Sequence, residues 1–232
     1  MANISIFGLG YVAAVSAATL ADHGHLVIGV DVNPTKVEMI NAGRSPIIEA
    51  GLPELMQKGV EAGQICATVD GRTAVFDTDL SIICVGTPSH PNGSLNLGYV
   101  QRVCRQIGAA LADKTAYHVV IARSTMLPGS TEDLVIPILE AASGKQAGRD
   151  FGVCFNPEFL REGSSINDFY DPPFTVIGSD DERAAAAASD LYTMIDAPLL
   201  TVAIKVAELV KYACNAFHAP KVTFTTEIGK IC

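Results

Sequence analysis

The chain has no tryptophan, and aromatic residues make up only 6% of its 232 positions. That scarcity disfavours the stacking platforms on which single-stranded nucleic acids are held. No run of lysine or arginine occurs, and 16 basic residues face 25 acidic ones for a net charge of −9. Such a chain is a poor long-range binder of nucleic acid or of an anionic membrane, although backbone N–H groups can still hold one anionic ligand. The six cysteines, at 66, 84, 104, 154, 214 and 232, form no CxxC and have no histidine at metal spacing, so no metal site is expected. Cys84 and Cys154 lie in apolar runs, where a thiol serves as a small core residue. The first five cysteines read as structural or incidental, in a reducing, cytoplasmic setting. Charged residues are also few, 18% against 49% apolar, which excludes disorder and leaves ample material for a core. The length suits one large domain or two unequal ones.

No long uninterrupted apolar segment is present either. The first charged residue is Asp22, so residues 1–21 superficially resemble a secretory leader. They lack a positive start, Gly8 and Gly10 interrupt them, and they are barely long enough to span a bilayer. A strand–turn–helix accounts for them better.

What the chain does have is a succession of short Val/Ile-rich runs separated by helix-period segments. Strands are expected at Ile4–Phe7, Leu26–Val30, Leu80–Val85, His118–Ala122, Phe151–Phe155 and Thr175–Gly178, with a weaker one at Ile65–Val69. Continuous rather than alternating apolar runs imply strands covered on both faces, as in a parallel sheet. Asn33-Pro34 marks a helix start and Gly43 its end. Ser179 and Glu182 have capping-box spacing, and Gly144 closes a helix expected over 131–142. Alternating β and α over about 200 residues predicts a Rossmann-type, doubly wound, mainly parallel α/β sheet with helices on both faces. After Pro198 the pattern changes to a helix over 203–219, with a kink expected near 216–220 because Pro220 cannot donate to the Ala216 carbonyl. No internal repeat or low-complexity linker is present.

The first strand leads into Gly8-Leu9-Gly10-Tyr11-Val12-Ala13 and an alanine-rich helix, and the second strand ends at Asp31. Gly8 allows the tight turn, Gly10 lets a diphosphate approach the backbone, and Ala13 keeps helix and strand close. The diphosphate would rest on the helix N-terminus. Asp31 stands where an acid meets the ribose 2′-hydroxyl and repels a 2′-phosphate, which predicts NAD over NADP. A methyltransferase, or a plain Rossmann domain whose glycines only serve the turn, is the alternative.

Ligands of doubly wound sheets bind at the carboxyl ends of the strands, where three loops have unusual sequence: Val85-Gly86-Thr87-Pro88, Arg123 to Gly129, and Asn156 to Gly163. Glu158 and Glu162 are spaced i and i+4, so a helical turn would put both on one face, one to hold a ligand and one to move a proton. Acids stationed near a helix start are the equal alternative. Lys211, Asn215 and His218 fall at i, i+4 and i+7, a polar stripe able to bind an oxyanion or a hydroxyl undergoing oxidation; a solvated helix face is the ordinary alternative.

Taken together, GLGYV at 8–12, VGTP at 85–88, RST at 123–125, NPEFLREG at 156–163 and KYACNAFHAPKVTF at 211–224 resemble the UDP-glucose/GDP-mannose family of nucleotide-sugar 6-dehydrogenases, in family order along the whole chain. SPIIEAGLPELM at 45–56, DPPFTVIG at 171–178 and His218 are most similar to the branch that oxidises GDP-mannose in alginate synthesis. The resemblance implies NAD-dependent oxidation of a sugar C6 alcohol to a carboxylate through aldehyde, thiohemiacetal and thioester, here GDP-mannose to GDP-mannuronate. It implies NAD contacts from Gly8, Gly10, Tyr11, Val12, Asp31, Lys36, Val85, Gly86, Thr87, Ser124, Thr125 and Glu162. Glu158 would be the proton-handling residue, Lys211 and Asn215 the oxyanion stabilisers, and Thr125 the orienter of the hydrolytic water. Phe159, Leu160, Arg161, Glu162, Lys211, Asn215 and His218 would line the substrate.

The resemblance has departures. The family's thiolate motif, GGxCxPKD, does not occur, and Pro220 and Thr226 replace an Ala and an Asn of the family pattern. Cys232 lies outside any such motif and receives no catalytic role. The expected organisation is an NAD-binding domain at 1–197 followed at 198–232 by the start of a central dimerisation helix, the second nucleotide-binding domain being absent. Full-length relatives would be homodimers, and residues 1–232 alone would make no acid. Alternatives are a UDP-glucose 6-dehydrogenase fragment, a β-hydroxyacid dehydrogenase, or a non-catalytic dinucleotide-binding domain.

Overall fold

A computed structural model describes residues 1–231; Cys232, assigned no role above, lies outside the described residues. Among the described residues, eight strands form one sheet in the order β3-β2-β1-β4-β5-β6-β7-β8. They are β1 (Asn3–Phe7), β2 (Leu26–Val30), β3 (Ile65–Thr68), β4 (Leu80–Ile83), β5 (Val119–Ala122), β6 (Gly152–Phe155), β7 (Thr175–Gly178) and β8 (Leu199–Val202). The helices are α1 (Tyr11–Asp22), α2 (Pro34–Asn41), α3 (Leu52–Glu61), α4 (Gly71–Phe76), α5 (Gly98–Asp113), α6 (Ile136–Ser143), α7 (Ser165–Tyr170), α8 (Glu182–Ser189) and α9 (Ile204–Gly229).

The six strands β1 to β6 are parallel, so their carboxyl ends share one edge; β7 meets β6 antiparallel and β8 follows β7 parallel. Strand order reverses between β1 and β4, the switch point at which a doubly wound sheet opens a crevice. Two hydrophobic layers explain the double winding. One packs α1, α2, α3, α7 and α8 on one face through Leu20, Ile40, Met56, Phe169 and Ala184. The other packs α4, α5, α6 and the start of α9 on the opposite face through Val75, Ile107, Leu139 and Ile204. Strands β4 to β7 are buried at every position, as their continuous apolar runs require.

The seven strands expected from sequence are present, with ends shifted by a residue or two. Strand β8 was not expected: its Leu-Leu-Thr-Val run lies on the sheet edge, largely exposed, and lacks the buried pattern of its neighbours. The sheet thus continues past residue 197, and α9 packs directly on β7, so closely that a Cβ on Gly178 would lie 2.6 Å from the Ala207 Cβ.

Asn33 caps α2 by accepting from the Thr35 amide, with Pro34 at the first position, and Gly43 and Gly144 have positive φ after their helices. The Ser179 capping box is corrected: Asp181 caps α8 by accepting from the Arg183 amide, while Ser179 Oγ donates to Val153 O. Ser179 is engaged instead in joining β7 to β6. The helix over 131–142 opens with a π-helical turn at Thr131–Val135 before α6. Helix α9 runs through Pro220 without ending there.

Candidate active site at the carboxyl edge

The turn between β1 and α1 follows from the close approach of β1 to β4. Gly8 has φ +91, and a Cβ there would lie 2.9 Å from Val85 Cγ1 and 3.2 Å from the Cys84 carbonyl oxygen. Gly10, at the start of α1, and Gly86 border open space, since a Cβ at either would meet nothing within 4 Å. No side chain caps α1 and no acid occupies its first turn, leaving its free amides and positive dipole end to an anion. Asp31, at the end of β2, accepts from the Leu9 amide at 2.6 Å through Oδ2 and from the Asn33 amide at 2.9 Å through Oδ1. Lys36 Nζ stands 3.7 Å from Asp31 Oδ2.

These residues open onto a cleft of about 290 Å³ bordered by Gly8, Gly10, Asp31, Lys36, Val85 and Gly86. It is also lined by residues the motif reading missed: Val32, Val69, Tyr99, Arg102, Val103 and Gln106. Tyr99, Arg102, Val103 and Gln106 come from one helix, α5, whose periodicity shows a buried face but not what its partly open flank borders. The open space, the glycine approach and the carboxylate at the end of β2 suit a dinucleotide. Of the other residues expected there, Tyr11, Val12, Thr87, Ser124, Thr125 and Glu162 do not line this cleft. Three of these tie neighbouring loops together: Thr87 Oγ1 donates to Thr125 O at 2.8 Å, and Ser124 Oγ donates to Val85 O at 2.6 Å.

The second half of the site is built on β6. Glu158 and Glu162 do not share a helical face, which corrects the i, i+4 reading: residues 156–160 are irregular and lead into a turn. Pro157 lacks an amide hydrogen, and the Glu158 carboxylate is already engaged. Glu158 Oε1 pairs with Lys211 Nζ at 2.7 Å, Lys211 also donates to Glu158 O at 2.6 Å, and Glu158 Oε2 accepts from the Leu160 amide at 2.8 Å. Both side chains are nearly buried, 7% exposed for Lys211 and 11% for Glu158. Lys211 Nζ also lies 5.7 Å from the centre of the Phe159 ring, close enough for a cation–π contact. Glu162, Asn215 and His218 are exposed, so the expected polar stripe is divided, Lys211 being buried apart from the other two. The Arg161 guanidinium forks onto Asp168, with Nη2 2.6 Å from Oδ1 and Nε 3.1 Å from Oδ2. That hydrogen bonding holds the Asp168 carboxyl below the usual range against the opposing effect of its burial.

Beneath this loop Arg123 is buried with no carboxylate within ion-pair distance among the described residues. Its Nη1 donates to Asn156 Oδ1 and, at 2.6 Å, to Tyr192 OH, while Asn156 Nδ2 donates to Val176 O at 2.8 Å. Burial disfavours the Arg123 charge, but the surrounding Tyr192, Cys84 and Glu158 raise its pKa overall. Two buried carboxylates were also missed. Glu208 of α9 accepts from the Gly129 amide at 2.5 Å and from the Thr131 amide and hydroxyl at 2.8 and 2.7 Å. Glu49 receives Tyr11 OH and the amides of Gly163 and Ser165. Glu49 sits in the 45–56 stretch and Glu208 in the helix expected over 203–219, but nothing in a sequence distinguishes a carboxylate that is hydrogen-bonded inside from one that is solvated. The cysteines are unsuited to nucleophilic work where buried: burial pushes the Cys104 and Cys154 thiols up to about 12.

Comparison with known proteins agrees with this geometry. Residues 2–196 match the NAD-binding domain of the UDP-glucose/GDP-mannose dehydrogenase family. The GDP-mannose 6-dehydrogenase of Pseudomonas aeruginosa is 53% identical over 229 residues, which cover 99% of this chain and 52% of that protein. A UDP-glucose 6-dehydrogenase of Bacillus subtilis is 38% identical over 233 residues, covering 100% of this chain and 49% of that protein. The crystal structure of a ternary complex of GDP-mannose dehydrogenase from P. aeruginosa superposes with TM-score 0.95 at 53% identity, over 97% of this chain and 52% of that one. A UDP-glucose dehydrogenase from Pyrobaculum islandicum gives TM-score 0.94 at 44% identity, over 99% of this chain and 52% of that one. The chain thus spans about half the length of the curated relatives it matches. With its glycine turn, its acid at the end of β2 and the match over 2–196, the chain belongs to the UDP-glucose/GDP-mannose dehydrogenase family and contains that family's NAD-binding domain.

Proposed function

We propose that the chain is the NAD-binding portion of an enzyme that oxidises the C6 alcohol of a nucleotide sugar, GDP-mannose before UDP-glucose, to the carboxylate. The observation carrying this reading is the nearly buried Lys211–Glu158 pair, held at the same sheet edge as the dinucleotide cleft. The first-turn amides of α1, with Gly8, Gly10, Tyr11 and Val12, hold the diphosphate, and Asp31 and Lys36 hold the adenosine ribose. Val85, Gly86, Thr87, Ser124, Thr125 and Glu162 flank the nicotinamide end. Two NAD+ bound in turn would supply the acceptors for the two hydrides that leave C6 between alcohol and carboxylate. Glu158 takes up the proton released from the C6 hydroxyl, and the Lys211 ammonium holds the oxygen as negative charge develops on it. Burial strengthens both effects, because neither group is screened by bulk water. Thr125 orients the water of the hydrolytic step. The backbone of Phe159–Glu162 and His218 contact the sugar nucleotide. The choice of GDP-mannose rests on 53% identity to a GDP-mannose 6-dehydrogenase against 38% to a UDP-glucose one. The assembled enzyme is cytoplasmic and homodimeric in this reading. No helix among the described residues is long and apolar enough to cross a membrane.

Calorimetry with NAD+, alone and followed by GDP-mannose or UDP-glucose, tests the reading. Binding of NAD+ by residues 1–232, with no acid produced because the GGxCxPKD thiolate motif is absent from them, is the expected result. Failure to bind NAD+ overturns the cofactor assignment, and robust GDP-mannuronate formation by the purified chain overturns the division of labour.

A further inference from the structure

The loop between α2 and α3 contains adjacent residues with opposite environments: Ile48 is 100% exposed and Glu49 is 6% exposed. A buried carboxylate needs compensating donors, and Glu49 draws them from two segments far apart in sequence. Tyr11, the first residue of α1 and part of the dinucleotide turn, donates its hydroxyl to Oε2 at 2.7 Å. The Gly163 amide donates to the same oxygen at 2.9 Å, and the Ser165 amide to Oε1 at 2.9 Å. Ser165 opens α7, where an amide has no partner inside its helix, and Gly163 has φ +87, so the backbone there is shaped to present its N–H. Tyr11 OH also lies 3.3 Å from Arg161 O. Although burial opposes its charge, hydrogen bonds from Tyr11 and from the two amides hold the Glu49 carboxyl below the usual range. One ionised side chain therefore spans the gap between the cofactor turn and the far end of the loop that begins at Glu158.

We infer that Glu49 is a positioning residue: it fixes the 161–165 segment, and with it the sugar-facing backbone of 159–162, against the dinucleotide turn through Tyr11. This rests on the function proposed above for those two segments. A carboxylate serving only general stability has no reason to connect them energetically. A positioning carboxylate makes the two respond to each other, so that a change at Tyr11 is felt at Gly163 and Ser165 only while Glu49 is present.

Amide hydrogen exchange by NMR on the 232-residue chain decides between these. Glu49→Gln keeps the shape and one acceptor oxygen; Tyr11→Phe keeps the ring and removes only the hydroxyl, which guards against a Glu49 variant that folds poorly. Exchange at Gly163 and Ser165 is expected to quicken about tenfold in Glu49→Gln, the scale of one charge-assisted hydrogen bond, and less in Tyr11→Phe. Ile82 and Val120, inside the sheet, should keep their rates. In the double variant the Tyr11 effect at Gly163 and Ser165 should vanish, and saturating NAD+ should protect those two amides in the parent chain but not in Glu49→Gln. Additive effects of the two substitutions, or quickening spread equally to Ile82 and Val120, would overturn the inference. If the parent chain does not bind NAD+, the cofactor assignment fails by itself, and the double-variant result still decides the role of Glu49.

Discussion

Asp31 and Gly8 shape the dinucleotide turn from opposite sides. The Asp31 carboxylate takes the Leu9 amide at 2.6 Å and the Asn33 amide at 2.9 Å, so it braces the turn while facing the cleft. Replacing it with alanine removes those bonds and the contact assigned to the ribose hydroxyl, at a cost on the scale of a charge-assisted hydrogen bond. Calorimetry should show NAD+ affinity in Asp31→Ala weakened by about tenfold, with the preference over NADP+ reduced. Unchanged affinity would contradict the assignment. Gly8→Ala acts on the backbone instead, forcing a side chain into φ +91 and against Val85 Cγ1 at 2.9 Å. Urea unfolding should register a loss of about 2 kcal/mol. Both residues were legible in sequence because a tight turn leaves few chemical choices. Lys211 was not: as one of three polar residues on a helical face it is indistinguishable from a solvated lysine. Only the packing of Ile204 and Ala207 under β7 turns it inward and leaves Asn215 and His218 outside.

At the scale of elements, sequence reading succeeds where burial is two-sided and fails at edges and loops. Strands β4 to β7 were visible as apolar runs because both their faces are covered. Strand β8 was not, since its short Leu-Leu-Thr-Val run after Pro198 is largely exposed and leads directly into the apolar positions of α9. The i, i+4 spacing of Glu158 and Glu162 suggested a helix, but spacing holds no information about the ion pair that keeps 156–160 irregular. The attachment of α9 was equally invisible. It depends on Glu208, wholly buried and accepting three hydrogen bonds from Gly129 and Thr131. Glu208→Ala leaves those donors without partners and should cost about 3 kcal/mol in urea unfolding, with Glu208→Gln losing less. A second buried network joins β1, β4 and β5 at the opposite sheet edge. Ser5 Oγ contacts Ser81 Oγ at 2.7 Å, Ser81 Oγ lies 2.7 Å from His118 Nε2, and Lys114 Nζ lies 3.2 Å from His118 Nδ1. The Thr78 carbonyl oxygen, which can only accept, also lies 3.1 Å from His118 Nδ1. Burial, then the Lys114 charge, lowers the His118 pKa from 6.5 to about 3. Between those pH values the unfolded chain binds more protons than the folded one, so stability is full above about pH 6.5 and declines as pH falls. Unfolding midpoints at pH 7 and pH 5 should differ less in His118→Gln than in the parent chain; an equal difference would remove His118 from the account.

For the molecule as a whole, the decisive contrast is between a sheet sealed on both faces and a helix that leaves it. The buried residues of α9 are Ile204, Ala207, Glu208 and Lys211, all in its first two turns. From Tyr212 the helix carries no buried position, yet it presents Phe217 at 70% exposure, Phe224 at 69%, Val222 at 49% and Ile228 at 45%. Of these, Phe217, Phe224 and Ile228 share one helical face, and apolar side chains in such a row raise the free energy of the isolated helix in water by about 25 cal/mol for each Å² left uncovered. A second copy of the same helix offers the same surface and can satisfy both at once, which is the geometric basis of an isologous dimer. Because the exposed residues lie beyond the last contact with the sheet, covering them requires no rearrangement of the cofactor cleft. Light scattering of the purified chain should therefore show mass rising with concentration. The double variant Phe217→Glu, Phe224→Glu should shift it toward monomer while NAD+ binding, measured by calorimetry on the same samples, stays intact. A parent chain that remains a monodisperse monomer at high concentration would refute self-association through α9. A variant that loses NAD+ binding together with association would instead place the exposed helix in the energetics of the cleft itself.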